Sequence, residues 1–406
     1  MDPYVIREDF PELRRIVNGH PLAYLDNAAS SLKPRQVIEA ICRFYSEKYA
    51  NVGRGVHTLA REATEAYEEA RQRVAAFIGA RSDEIVFVRN ATEALNLVAL
   101  GWARWNLRQG DVVVTTVMEH HSNLLPWVRL ADELGLELRI VPVHKDGTLD
   151  YGALEEAIEG AKLVAVTHKS NVLGVVNDVE RIATLARRKG AKLVLDGAQS
   201  VPHMPIDVRE LGCDFLAFSG HKMLGPTGIG VLYAKRELLE EFKPVYVGGG
   251  IIGEVHCTRE SCKATWAKPP AMLEAGTPNI VGAIGLAAAV EYLERVGMKW
   301  IADHEKKLTK LALELLEELE GVSILGPHEP DKRPGVVSFV VKDLDPHAVA
   351  VLLDQRGIAV RSGLHCAQPL HEALGVPKGS VRASFYLYNT EEEIERLVSV
   401  VKEIAQ

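Results

Sequence analysis

Cys213-Asp214-Phe215-Leu216-Ala217-Phe218 and Ile229-Gly230-Val231-Leu232-Tyr233-Ala234 enclose the segment Ser219-Gly220-His221-Lys222-Met223-Leu224-Gly225-Pro226-Thr227-Gly228. The outer runs read as short buried strands. The segment between them is too rich in Gly and Pro for a helix and reads as a loop. Lys222 stands in that loop beside a hydroxyl, Ser219, and an imidazole, His221. A lysine held between buried strands loses water, which disfavours its charged form. The neutral amine that results can form a Schiff base with an aldehyde.

Upstream the pattern alternates. Apolar runs at 84–88, 111–117, 138–143, 163–167 and 192–196 read as strands, with helices expected at 92–106, after Ser122, and near 150–159 and 178–189. Near-continuous apolar strands are those whose two faces are both covered by helices. Strand–helix alternation implies a largely parallel α/β sheet. Ligands of such sheets sit at the carboxyl ends of the strands. Polar clusters stand at those ends: Asn90-Ala91-Thr92, Glu119-His120-His121, His168-Lys169-Ser170-Asn171, Asp196-Gly197-Ala198-Gln199 and Ser219-Gly220-His221-Lys222.

Around this block the chain reads differently. The first twenty residues suggest a short helix and a turn at Asn18-Gly19, followed by a strand at Leu22-Ala23-Tyr24-Leu25 and helices near 34–49 and 59–78. Gly248-Gly249-Gly250 opens an irregular segment, a loop or hairpin, to about 273. Long helices at 280–296 and 299–319 lead into strands near 322–325, 335–341 and 358–361 and helices near 346–356 and 390–405. The expectation is a large domain over 20–290 and a smaller α+β domain made of 1–19 and 291–406.

Composition narrows the function classes. Of 406 residues, 47% are apolar and 25% charged, as in ordinary globular proteins. No run of about 18 apolar residues is present, so no membrane span is expected. The first residues lack a basic start followed by an apolar core, which points away from a signal peptide and towards the cytoplasm. A formal charge of −8 argues against a nucleic-acid binder. Five scattered cysteines, an odd number, do not make a disulfide scaffold.

Several residues carry possible chemistry. Asp196 ends a buried strand, where a carboxylate needs a cation or hydrogen bonds. It can be a helix cap or a loop ion pair, or it can face a protonated pyridine nitrogen and so make that ring an electron sink. Gln199 could then donate to a ring oxygen. His120 and His121 are adjacent at a strand end and are poor joint metal ligands; one imidazole could stack on a flat ring. Thr92 begins a helix, whose N-terminus binds phosphate or is merely capped; Ser219 and His221 add donors. The glycines of 225–230 do not make a dinucleotide fingerprint, because a strand and not a helix follows. Cys366 lies in a polar loop near Arg361 and His365, where a thiol should become more acidic. Arg382 could pair bidentately with a carboxylate. Cys257 and Cys262, with His256, suggest a metal or redox pair, although no second half-site is present and no metal is assigned.

Taken together, these stretches make the chain resemble the pyridoxal-phosphate cysteine desulfurases of the second, Suf-type group within the class V aminotransferase superfamily. The resemblance runs from about residue 10 to the C-terminus. It is carried by Leu25-Asp26-Asn27-Ala28-Ala29-Ser30, Arg54-Gly55-Val56-His57-Thr58-Leu59, Met118-Glu119-His120-His121-Ser122-Asn123, Thr167-His168-Lys169-Ser170-Asn171-Val172-Leu173-Gly174, Asp196-Gly197-Ala198-Gln199, Ser219-Gly220-His221-Lys222, Glu274-Ala275-Gly276-Thr277-Pro278-Asn279, Arg361-Ser362-Gly363-Leu364-His365-Cys366 and Arg382-Ala383-Ser384. It implies the fold type I architecture of pyridoxal-phosphate enzymes: a mixed, mostly parallel sheet covered by helices, plus a smaller α+β domain. It also implies pyridoxal 5′-phosphate as cofactor, held covalently by Lys222, stacked on by His120, paired at its nitrogen with Asp196 and contacted at its phenolic oxygen by Gln199. Thr92, Ser219 and His221 would hold the phosphate, joined by Thr277 from the other subunit of a homodimer. Asn171, Arg361 and Arg382 would bind the substrate. Cys366 would be the nucleophile that takes sulfur from L-cysteine as a persulfide, releasing L-alanine and passing the sulfur to an acceptor protein or scaffold for iron–sulfur cluster assembly.

A selenocysteine lyase would keep nearly all these residues, whereas an aminotransferase of the same fold would not need Cys366. The chain departs from the family pattern at Gly53 and Leu364, where the family usually has His, and at Cys257 and Cys262, in a segment that usually lacks cysteine. For that pair the expectations are an alternative sulfur relay or a stabilising disulfide.

Overall fold

The apolar runs between residues 85 and 234 fold into one sheet in the computed structural model, which describes all 406 residues. Its strands are β1 (Ile85–Val88), β2 (Val112–Thr116), β3 (Glu137–Val141), β4 (Ala161–Thr167), β5 (Lys192–Asp196), β6 (Phe215–Ser219) and β7 (Gly230–Ala234). They lie side by side in the order β1-β7-β6-β5-β4-β2-β3. Neighbours from β6 through β3 are parallel, and β7 runs antiparallel to both β1 and β6. Every residue of β1, β2, β5 after Lys192, β6 and β7 is buried, which is why these runs carry no polar alternation. The edge strand β3 is the exception; its exposed Glu137 and half-buried Arg139 put charges where an unpaired edge would otherwise invite association.

Helices cover both faces. Those that matter here are α1 (Arg35–Glu47), α2 (Thr58–Phe77), α3 (Ala91–Leu97), α4 (His121–Leu134), α5 (Val179–Lys189), α6 (Ile280–Val296), α7 (Met298–Glu317) and α8 (Glu391–Ala405). α3 continues through a π-helical stretch, Val98–Ala103, to Asn106, so its first turn heads a longer rod. Asn90, not Thr92, caps α3, accepting from Glu93 N at 3.0 Å. α6 packs on α1 and α2. No helix is long and apolar enough to cross a membrane.

The irregular segment after Gly250 is a hairpin of β8 (Ile252–Cys257) and β9 (Cys262–Trp266), exposed along almost its whole length. A four-stranded antiparallel sheet follows from β10 (Val322–Leu325), β11 (Val336–Val341), β12 (Arg361–Gly363) and β13 (Ser380–Ser384), in the order β10-β11-β13-β12, with α7 against it and α8 packed on α7. The N-terminal segment joins it: Ala23-Tyr24 pairs in parallel with Ile358-Ala359.

The short helix expected in the first twenty residues is Pro3–Arg7, and the turn expected at Asn18-Gly19 closes a hairpin that pairs Ile16-Val17 with His20-Pro21, both turn residues having positive φ (51° and 81°). Two local expectations need correction. His120 and His121 do not continue a strand; His120 caps α4 and His121 is its first residue. Gly220–Lys222 makes a single 3₁₀ turn and not an open loop.

Candidate active site

The carboxyl ends of the parallel strands open into a cavity of about 460 Å³. Thr92, His120, Asn171, Asp196, Gln199, Ser219, His221, Lys222, Arg361, Cys366 and Arg382 all line it. Thr277 does not; it lies in separate grooves, one shared with Gly53, Arg54 and Glu274.

Strand ends position the first group. Asp196 is the last residue of β5 and Ser219 the last of β6. Ser219 Oγ accepts from Ala91 N at 2.9 Å, which fastens the first turn of α3 to the end of β6. Gly230 allows this approach: a Cβ there would stand 2.6 Å from Asn90 Cα. Thr92 Oγ1 lies 2.7 Å from Ser122 Oγ, bringing the starts of α3 and α4 together.

Burial pushes the Lys222 amine down to about 8, against the attraction of Asp196. Burial raises the Asp196 carboxyl, against a hydrogen bond from Ala198 N (2.9 Å) and the charge of Lys222. His120 is pushed down to about 4 by burial and then by Lys222, so its imidazole is neutral. Its Nδ1 accepts from Ser122 N at 3.1 Å, which leaves the ring proton on Nε2. His221 is likewise held down at about 4 by burial, Lys222 and Lys33. The neighbouring Glu119 is buried and pushed up to about 8, while accepting from Asn123, Thr116 and Thr167 N; it ties the end of β2 to the end of β4.

The cysteine loop comes from the smaller sheet. His365 and Cys366 are both left-handed (φ 49° and 55°), a sharp turn that leaves the Cys366 thiol exposed. Non-glycine residues in this region cost of the order of 1 kcal/mol or more and persist only where neighbours hold them. Here His121 N donates to Cys366 O at 2.7 Å, and Asn171 Nδ2 donates to His365 O at 2.8 Å. His365 is pushed down to about 2, by burial and then by Arg382, so it brings no positive charge to the thiol.

Arg361 and Arg382 face each other across β12 and β13. Both bind Asp26, a residue the sequence reading left without a role. Its signal was its place at the end of a short strand, the same kind of position that singled out Asp196. Lys33 stands in no pattern that marks it, and Ser122, although within the stretch Met118–Asn123, carries no expected role there.

Cys257 and Cys262 are directly opposite each other in the hairpin, Cα atoms 4.1 Å apart, and are joined as a disulfide. Neither lines the cavity.

Residues 23–397 match the family model described as aminotransferase class-V. The chain is 51% identical over 98% of its length to a probable cysteine desulfurase of Halalkalibacterium halodurans, of which it covers 96%. Its fold superposes on the apo structure of a cysteine desulfurase from Thermococcus onnurineus with a TM-score of 0.91, 49% identity and 98% of both chains covered. The corresponding figures for a cysteine desulfurase from Escherichia coli, described as its S-sulfonic acid form, are 0.89 and 38%, over 99% of this chain and 98% of that one.

Proposed function

The chain belongs to the class-V aminotransferase family, and we propose that it works there as a cysteine desulfurase, converting L-cysteine to L-alanine and carrying the sulfur as a persulfide on Cys366. One observation carries the reading. An exposed thiol on a left-handed turn shares a cavity with a partly neutral lysine and a buried carboxylate.

The residues fit pyridoxal 5′-phosphate. Gln199 Oε1 is buried without a partner. The Asp196 carboxylate accepts only the Ala198 N–H from the protein. The first turn of α3 points at the same cavity with Thr92, Ser219 and His221 around it. Lys222 would hold the cofactor, Asp196 and Gln199 its ring, and the α3 end its phosphate. When bound, the cofactor supplies an electron sink for the charge that develops at the substrate Cα.

The chain's own groups do the rest. Arg361 and Arg382 hold the substrate carboxylate. Asn171 spends one amide N–H on His365 O, which leaves its second N–H and Oδ1 for the substrate. Lys222 Nζ accepts the Cα proton, which its lowered affinity for protons makes possible near neutral pH. The Cys366 thiolate attacks the substrate sulfur; an S–S bond forms as the C–S bond breaks, and the electron pair stays on the substrate carbon. Protonation of that carbon, and return of the Cα proton from Lys222 Nζ, gives alanine. The outer sulfur then passes to an acceptor for iron–sulfur cluster assembly, in a Suf-type role in the cytoplasm. A homodimer completes the phosphate site: Thr277 lies outside its own chain's cavity and serves the partner's.

The test is to give the cofactor-loaded protein L-cysteine with and without a thiol reductant. Equal alanine and sulfide with reductant are expected. Cys366→Ser should keep the cofactor and release no sulfide; full activity in that variant would exclude the persulfide route.

A further inference from the structure

The loop that carries Cys366 leaves β12 at Gly363 and returns at Ser380, which stands directly opposite as the first residue of β13. Gly379 permits that closeness: a Cβ there would stand 2.4 Å from Gly363 C. Ser380, His365 and His371 meet inside the loop. His365 Nε2 lies 3.2 Å from both the carbonyl oxygen and Oγ of Ser380. His371, in the short helix Gln368–Ala373, places Nε2 3.1 Å from Ser380 Oγ and Nδ1 3.0 Å from Ala367 O. Ser380 and His371 are fully buried.

The two carbonyl oxygens settle where the protons lie. A carbonyl only accepts, so His371 carries a proton on Nδ1 and His365 carries one on Nε2. Burial lowers the pKa of both rings, so each is neutral and has no second proton. His371 Nε2 is therefore bare and accepts the Ser380 hydroxyl proton, while Ser380 Oγ accepts from His365 Nε2. The chain runs one way, from His365 through Ser380 and His371 to Ala367 O. Its two ends are the residues on either side of Cys366. His365 Nδ1 is left as a bare acceptor, buried without a partner.

We propose that His371 and Ser380 are positioning residues for the Cys366 thiol: they tie the ring before it to the carbonyl after it, and so hold the left-handed turn in the geometry from which the thiolate takes sulfur. This rests on the reading of Cys366 as the nucleophile. Neither residue lines the cavity; they act through His365 and Ala367. Asn171 and His121 N hold the same turn by the carbonyls of His365 and Cys366. The chain adds what those two bonds leave free, the direction of the His365 ring. His371→Met removes the chain and keeps the bond from the backbone N–H of residue 371 to Ala367 O at 3.3 Å, so the helix itself is not undone.

The experiment follows a single turnover of cofactor-loaded protein with L-cysteine and no reductant, in wild type, His371→Met, Ser380→Ala and the double variant. Each single variant is expected to form its first alanine about tenfold more slowly, below the hundredfold that misplacing a reacting group by about 1 Å can cost. The double variant should be no slower than the slower single one, because either change breaks the same chain. Affinity for L-alanine, which binds without using the thiol, should stay within about twofold of wild type. A folded His371→Met with a first turnover as fast as wild type would overturn the proposal. So would losses that multiply in the double variant, or an equal loss in alanine affinity. Should the variants not fold, ring-nitrogen NMR shifts of wild type decide: protons on Nδ1 of His371 and Nε2 of His365 support the chain, and any other pair overturns it. Turnover by wild type with reductant separates the two levels. Without alanine and sulfide the desulfurase reading falls, whereas turnover that His371→Met leaves untouched removes only the role of His371 and Ser380.

Discussion

The Lys33 ammonium lies 2.8 Å from the carbonyl oxygen of His221, the residue that immediately precedes Lys222. Ser30 Oγ, Ser31 Oγ and Ser31 N converge on the same oxygen at 3.1, 3.2 and 3.1 Å. Ser31 Oγ also accepts from Leu224 N at 2.9 Å, so one short segment grips the Lys222 turn at both ends. Lys33 has no carboxylate partner. Burial alone pushes its pKa down to about 7. Lys33→Met would remove the one lysine among the four donors on the His221 carbonyl and should loosen the turn. The expected cost is about tenfold in affinity for pyridoxal phosphate, the value of roughly one charge-assisted hydrogen bond. An absorbance titration of cofactor-free protein measures it, and Lys33→Arg should recover part of the loss.

The same lysine gives a pH signature. Its folded-state pKa lies below its unfolded value, so between about 7 and the ordinary lysine range the unfolded chain binds more protons than the folded one. Stability therefore rises with pH in that window. Below about pH 7 the burial penalty is present in full. Wild type should gain thermal stability relative to Lys33→Met as the pH rises from about 7 to 10. Melting curves of the two proteins that stay parallel across this window would contradict the assignment.

Lys222 should report its own proton. With its amine lowered to about 8, the neutral form grows as the pH rises through that value. The rate at which cofactor-free protein captures pyridoxal phosphate should climb with a midpoint near there. A midpoint in the ordinary lysine range would mean that the side chain is hydrated and its burial is not maintained.

Glu274 joins the loop that carries Thr277 to the main sheet. It pairs with the buried Arg71 at 2.6 and 2.9 Å, accepts from Phe87 N at 2.7 Å and from the Tyr67 hydroxyl at 3.1 Å. Glu274→Ala would leave Phe87 N without its acceptor and the Arg71 guanidinium with only the half-exposed Glu68 and the Ile85 carbonyl. A loss of about 2–3 kcal/mol in denaturant unfolding is expected. A double variant, Arg71→Met with Glu274→Ala, should recover part of it.

The hairpin disulfide closes a short loop, and neither of its cysteines lines the cavity. By loop-closure entropy, removing it with Cys257→Ser and Cys262→Ser should cost about 2 kcal/mol locally. Amide exchange in residues 252–266 should quicken, with the melting temperature and cofactor affinity nearly unchanged. A fall in cofactor affinity would show that the hairpin supports the site.

Much of the architecture is determined by sequence alone, because burial on both faces leaves a plain trace. The runs that became β1, β2 and β4 to β7 are apolar nearly throughout, and the long helices α6 and α7 announce themselves by length and periodicity. Polar residues at strand ends were legible for the same reason: Asp196 and Ser219 each interrupt an apolar run where a sheet meets solvent or ligand. Short elements were not. A strand of three residues such as β12 carries no periodicity, and the hairpin at Asn18-Gly19 pairs only two residues on each side.

What only the tertiary structure decided are relationships between residues far apart in the chain. Nothing local to Asp26 says that it will meet Arg361 and Arg382, more than three hundred positions away, because β12 and β13 take their places beside the N-terminal segment only on folding. Nothing local to Lys33 says that it will lose its water against the backbone of His221. Sequence fixes which side chains are available and which segments must be buried. The charge that each of those side chains carries is set by what packs against it, and that is decided where the chain meets itself.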